Sequence, residues 1–308
     1  MPTRAAYRAA VAKLLGMHET GTASAGANNT AAQLEASGSS ENGLRWRSSV
    51  LPAGELRDKW LFRPAATAPG DADRLIADYE PALGFLTPDD PWTNPPASEP
   101  FEVLGLFSAA ETHALIDEAL ARCLVVVEIT FTVADPQLRR HDLGVVAPWL
   151  HDWRWVHQVG VLAPTESRDR VDPFGRRITG TARTEDGRVV LEGPTFAVTD
   201  TVYVRLIKAA RDHCRASGGE YGDQIGLLRE TDEAPVGADW VAWGAVVAAQ
   251  DRLDRLIETG VATQAAQRTR AAAAARFSEE TRRAFTAPER TYRPLTWYGP
   301  TRELSWAR

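Results

Sequence analysis

The sequence predicts an α+β protein: a discontinuous helical bundle with two β-rich insertions, a small antiparallel β unit and a β-sandwich-like module. Three observations predict it. Helical periodicity occurs at both ends of the chain and once in the middle, over residues 4–16, 108–123 and 236–285. Between these, residues 20–107 and 124–207 break into short apolar runs bounded by Pro, Gly, Asn and Asp, as strands do. At 308 residues the chain can build two or three cores of ordinary size. The organisation expected is a helical body from residues 1–19, 108–123 and 236–285, a first β module over 20–107 and a second over 124–207. Residues 208–235 read as an irregular connection and 286–308 as an extended C-terminal tail.

Each element has a local reason. Residues 4–16 place Tyr7, Val11, Leu14 and Leu15 on one helical face, with Gly16 as the stop. The Gly/Ala/Ser/Asn-rich stretch from Gly21 to Gly43 reads as loop with short strands. Lys59-Trp-Leu-Phe-Arg, Asp73-Arg-Leu-Ile-Ala-Asp-Tyr, Gly84-Phe-Leu-Thr and Phe101-Glu-Val-Leu follow as strands, with turn residues at 88–96 around an exposed Trp92. Ser108 and Glu111 have capping-box spacing, and Ile116, Ala119, Leu120 and Cys123 recur on one face behind them. From Leu124 the chain turns β-branched, and Asp186 with Gly187 marks a tight hairpin. Trp240, Trp243, Val247, Leu253, Leu256 and Ile257 trace one late helix and residues 262–285 a second, joined by a short loop at Glu258-Thr-Gly-Val. The last 22 residues hold Pro288, Pro294 and Pro300 among Tyr292, Trp297, Tyr298 and Trp306. That tail is too Pro-rich for a helix and too aromatic for an inert linker.

Composition excludes several classes. A net charge of −6 argues against general nucleic-acid binding. No apolar run approaches the ~18 residues of a membrane span, and the N-terminus lacks a secretory h-region, so the chain is expected to start in the cytosol. Cys123 and Cys214 are too few for a disulfide framework, and Cys123 reads as a small buried hydrophobe. Lysine occurs only at Lys13, Lys59 and Lys208; the Arg excess suits interfaces, though a GC-rich genome explains it as well. His141-Asp142 and His151-Asp152 read as surface turns rather than metal ligands. Glu279, Glu280, Asp251, Asp254 and Glu258 read as solvated helix faces. No phosphate loop, dinucleotide fingerprint, nucleophile elbow or zincin pattern is present. The sequence therefore nominates no catalytic, metal or cofactor residue, and an enzyme is not expected. Two aromatic groups remain. Trp149, Trp153 and Trp155 could form a glycan platform, Trp153 and Trp155 sharing a face if extended, or could fill a sandwich core. Tyr292, Trp297, Tyr298 and Trp306 could anchor the tail on a neighbouring subunit or on its own domain.

Gly21-Thr-Ala-Ser-Ala-Gly, Trp60-Leu-Phe-Arg, Arg74-Leu-Ile-Ala-Asp-Tyr, Gly84-Phe-Leu-Thr and Pro91-Trp-Thr-Asn-Pro-Pro together resemble a small β unit of tailed-bacteriophage structural proteins. Leu115-Ile-Asp-Glu-Ala-Leu-Ala-Arg-Cys, and Ala234-Pro through Trp240-Val-Ala-Trp, are similar to segments of head-to-tail adaptor (neck or connector) proteins. The resemblance covers most of residues 4–290. It implies a non-enzymatic virion protein, made in the host cytoplasm, that forms a homo-oligomeric ring of about twelve subunits below the portal. The implied partners are further copies, the portal and the next neck or tail protein, with genomic DNA passing through the lumen unbound. The first β module exceeds the simplest adaptor plan, which leaves open a tail, collar or capsid-associated place. A carbohydrate- or receptor-binding module on a helical stalk is the alternative from another class.

Overall fold

The computed structural model describes residues 1–15, 18–25, 27–36, 56–68, 70–135, 139–175, 179–192, 196–197, 199–249 and 302–305. They form two compact units, one from Met1–Leu120 and the stretch beginning at Leu227, the other from Ala121–Gly226 and the C-terminal strand.

The first unit is built on a six-stranded antiparallel sheet. Its strands are β1 (His18–Thr22), β2 (Leu34–Glu35), β3 (Trp60–Phe62), β4 (Asp73–Glu80), β5 (Phe85–Pro88) and β6 (Pro100–Leu104), in the order β1-β6-β3-β4-β5-β2. Register places Gly21 opposite Phe101, whose ring lies where a Cβ on residue 21 would stand. One core cluster is formed by Leu34, Leu56, Leu61, Ile76, Tyr79, Leu86, Trp92, Phe101 and Val103 with small alanines, and among the described residues no helix contributes to this cluster. Trp92, expected to be exposed, is 2% accessible. Arg63 lies over its ring at 5.0 Å and pairs with Glu99, while Asp71 accepts from the Thr93 and Asn94 amides and fixes the loop.

Three α-helices occur among the described residues: α1 (Arg4–Leu14), α2 (Ala109–Arg122) and α3 (Ala238–Ala248). Helix α2 begins at the expected capping box, Ser108 Oγ accepting from the Glu111 amide and Glu111 accepting from the Ser108 amide. Asp73, the first residue of β4, adds a carboxylate to the Ala109 and Ala110 amides. Helices α1 and α3 pack on each other. In α3 the buried positions are Val241, Ala242, Ala245 and Val246, so Trp240, Trp243 and Val247 flank the packed face rather than form it.

The second unit holds two antiparallel sheets. One orders β7 (Leu124–Thr132), β12 (Thr201–Ala209) and β9 (Val156–Leu162), with β12 central. The other orders β13 (Arg302–Ser305), β10 (Thr179–Glu185), β11 (Arg188–Glu192) and β8 (Arg140–Asp142). Both face one core, to which β12 sends Val202, Val204 and Leu206 and the second sheet sends Ala182, Val189 and Leu191. The β10–β11 hairpin turns at Asp186 (φ 47°) and Gly187 (φ 76°), the positive pair that a two-residue turn requires.

The predicted fold class is therefore corrected. The protein is mostly β, with antiparallel sheets and three helices among the described residues, and is not a helical bundle with insertions. Periodicity locates helices but does not say which element they bury against. Here one core cluster of the first unit is closed by strands and the loops carrying Leu56 and Trp92, and helices meet that sheet where Ala12 and Ala109 pack with Phe62 and Leu104. The second late helix, at 262–285, and the short loop before it lie outside the described residues.

Candidate functional site

Trp149, Trp153 and Trp155 are brought to one end of the second unit's core, each half-buried against it. Residues Trp153–Trp155 form a 3₁₀ turn capped by Asp152, so the extended alternation that would align two rings on one face does not occur. What Trp149 and Trp155 flank is Lys208. Along β12 the positions Val202, Val204, Leu206 and Lys208 alternate inward, and Lys208 is 2% exposed. Its Nζ lies 4.0 Å from the Trp149 ring centroid and 4.7 Å from that of Trp155, and has no hydrogen-bond partner among the described residues. Burial pushes its pKa down to about 8, against a smaller opposing pull from Asp212. Cation–π contact with two desolvated indoles, worth about 2 kcal/mol where water is excluded, offsets part of the burial.

Further groups pack against this pair of indoles. His213 lies 5.2 Å from Trp149 and 5.6 Å from Tyr221, and burial, then the Lys208 charge, push it down to about 4. Gly222 adopts φ +101°, and a Cβ there would come within 2.6 Å of Trp149. The arrangement sets two indoles, Trp149 and Trp155, about a cation of the same chain, and the indole faces turned to Lys208 are occupied by it.

A second charged cluster lies in the first unit. Arg8, fully buried, binds Glu102 through two nitrogens at 2.5 and 3.0 Å and Glu230 at 2.5 Å, and stacks 4.4 Å over Phe62. Burial alone would lower its pKa; the two carboxylates outweigh that and raise it. His18 joins Glu102 at 3.1 Å, and His113 Nε2 meets Arg8 at 2.9 Å. Burial, then Arg4 and Arg8, hold His113 neutral by pushing it to about 3, so its Nε2 accepts from Arg8. Glu102 is held at about 2: burial opposes ionisation, but its bonds to His18 and Arg8 prevail. These residues tie α1, β1, β6, α2 and the segment before α3 together. Among the described residues, no group of three or more His, Cys, Asp or Glu is arranged to hold a metal.

Some exposed apolar side chains lie on a sheet margin of the second unit. Strand β7 is an edge of its sheet, and its outer face exposes Leu124 (43%) and Val126 (50%). Its centre is charged, Glu128 pairing with Arg168 and Arg205. Near the end of β7 a cavity of about 370 Å³ is lined by Phe131, Val133, Ala134, His141, Val145 and Val146, with Val145 75% exposed. His141, expected in a surface turn, is a buried strand residue between Phe131 and Phe196. Asp142 caps the following 3₁₀ turn, and His151 is exposed. Cys123 is buried as expected, its thiol pushed up to about 12 by that burial.

Tyr292, Trp297, Tyr298 and Trp306 lie outside the described residues, as do Asp251, Asp254, Glu258, Glu279 and Glu280. Sequence reasoning missed Lys208 and Arg8. A lysine continuing the inward alternation of β12, in a chain with three lysines, is a readable signal; Arg8, one arginine among many on a short helix, carries none. Among the described residues no helix is long and apolar enough to cross a membrane. No protein-family model, curated protein or solved structure matches the chain.

Proposed function

We propose that the chain is a structural protein of a tailed-bacteriophage virion that assembles with copies of itself, with the head-to-tail junction as its place and the portal as its neighbour. The observation that carries this is where the phage-like residues fall. Trp60-Leu-Phe-Arg, Arg74-Leu-Ile-Ala-Asp-Tyr and Gly84-Phe-Leu-Thr supply β3, β4 and β5 of one sheet, and Pro91-Trp-Thr-Asn-Pro-Pro is the loop that Asp71 and Arg63 fasten over its core. In this chain they are the framework of a single module, which is what supports reading them together. The adaptor role rests on the resemblance of Leu115–Cys123 and of the segment leading into α3. Edge strand β7, with Leu124 and Val126 exposed at one end of its outer face, supports assembly, because the open backbone of an edge is a template for another chain.

The test is the native mass of the full-length protein, alone and with the portal of its phage. A ring or capture by the portal is expected; a monomer that ignores the portal at micromolar concentration overturns the reading.

A further inference from the structure

The second sheet of the second unit is unequal in origin. Strands β8, β10 and β11 come from residues 140–192, and β10 and β11 are joined by a two-residue turn. The fourth strand, β13, comes from residues 302–305 and pairs only with β10, Arg302 opposite Ala182 and Ser305 opposite Thr179. It lies on an outer edge. Without it the other three strands still form a sheet, with the β10 backbone open on one side. The strand thus completes an edge that a local hairpin has already made.

Resting on the assembly reading above, we propose that β13 is exchanged between copies: residues 302–305 of one molecule pair with β10 of the next. Pairing is made by backbone in a four-residue register, and the same bonds form whether strand and edge belong to one chain or two. Residues 250–301 separate α3 from β13, a length that can reach on the order of 100 Å when extended. A separation of that many residues does not by sequence length alone tie β13 to its own molecule's β10, and a neighbour held in an assembly presents the same edge at high local concentration. Donor strand and acceptor edge are different surfaces, so every copy gives one strand and receives one. Contacts of that heterologous kind propagate head to tail and close into a ring when the rotation permits, which is the form the adaptor role needs.

The test uses register. Thr181 stands opposite Glu303, within reach of a disulfide across an antiparallel pair. The full-length T181C/E303C variant is oxidised, resolved without reductant, and weighed in its native state. A ladder of covalent multimers from an oligomeric protein, collapsed by reductant, is expected. Cys123 and Cys214 are buried, and the unsubstituted chain serves as the control for them. An oligomer whose disulfides all lie within single chains overturns strand exchange and leaves the assembly reading standing. A monomer with an internal disulfide overturns both. No disulfide at all removes the β10–β13 pairing and the proposal with it. As a second measurement, ending the chain at residue 301 is expected to lower the oligomer fraction about tenfold at fixed concentration; an unchanged fraction counts against exchange.

Discussion

Lys208 combines a buried charge with an aromatic cage, and the balance is measurable. Below about pH 8 the ammonium is charged in folded and unfolded chains alike, and its burial weighs fully on the folded state. Between about 8 and the usual lysine value of 10.5 the folded chain releases the proton first, so this contribution to stability rises with pH. Lys208→Met is expected to melt higher than the parent at pH 7, with the gap closing towards pH 10; a gap constant across that range rules out the titration. His113 and His213 act on the acid side. Both are neutral in the fold, at about 3 and 4, so the unfolded chain takes up protons first as pH falls below 6.5 and stability declines. Glu102, held at about 2, extends the loss below pH 4.5. Melting curves of His113→Gln should fall less steeply than the parent between pH 6.5 and 4, and equal slopes exclude His113 as a cause. At this scale the sequence was partly legible. Cys123 and the capping pair were readable because each depends on near neighbours, whereas Trp92 was misread because the residues that cover it, Arg63 among them, are brought by distant strands.

Elements are joined by a few polar crosslinks whose loss has a defined size. Removing Arg8 leaves Glu102 buried without its principal partner, so Arg8→Ala is expected to lower stability by about 3–5 kcal/mol, read from the shift in denaturant midpoint. A loss below about 1 kcal/mol places the cluster in water in solution. Gly222→Ala tests the other unit, because both the left-handed backbone and the Trp149 ring oppose a Cβ. A loss of about 1–3 kcal/mol is expected, with a changed Trp fluorescence maximum. The positions of α1, α2 and the start of α3, and the β10–β11 turn, were legible as local chemistry; element partnership was not. The strand order β1-β6-β3-β4-β5-β2 brings residues 18–22 beside 100–104 and 34–35 beside 85–86, and nothing in those segments names the mate. The displaced face of α3 has the same origin: a helix as apolar as Ala238–Ala248 offers several faces, and the packing against α1 selects one.

For the whole molecule, assembly is the property to perturb. Val126→Lys places a charge on the outer face of the β7 edge, where half of the native side chain already meets water. The monomer should keep its stability to within about 0.5 kcal/mol, while sedimentation shows about tenfold weaker association; full association with the lysine in place assigns the interface elsewhere. The N-terminal helix bears on how the molecule is made. The Arg4 and Ala5 amides donate to the carbonyls of Asp232 and Glu230, the Tyr7 hydroxyl reaches the carbonyls of Ala234 and Val236, and Arg8 grips a carboxylate 222 residues further on. At a translation rate of about 5–20 residues per second, the first turn of the protein waits roughly 10–45 s for the partners that hold it. Residues 121–226 leave the ribosome within that interval, so the part of the second unit without β13 can fold while the first unit is unfinished. Nascent chains stalled before residue 230 should leave the opening helix open to protease, and chains long enough for residue 236 to clear the exit tunnel should protect it. The beginning of this protein is among the last parts to be secured.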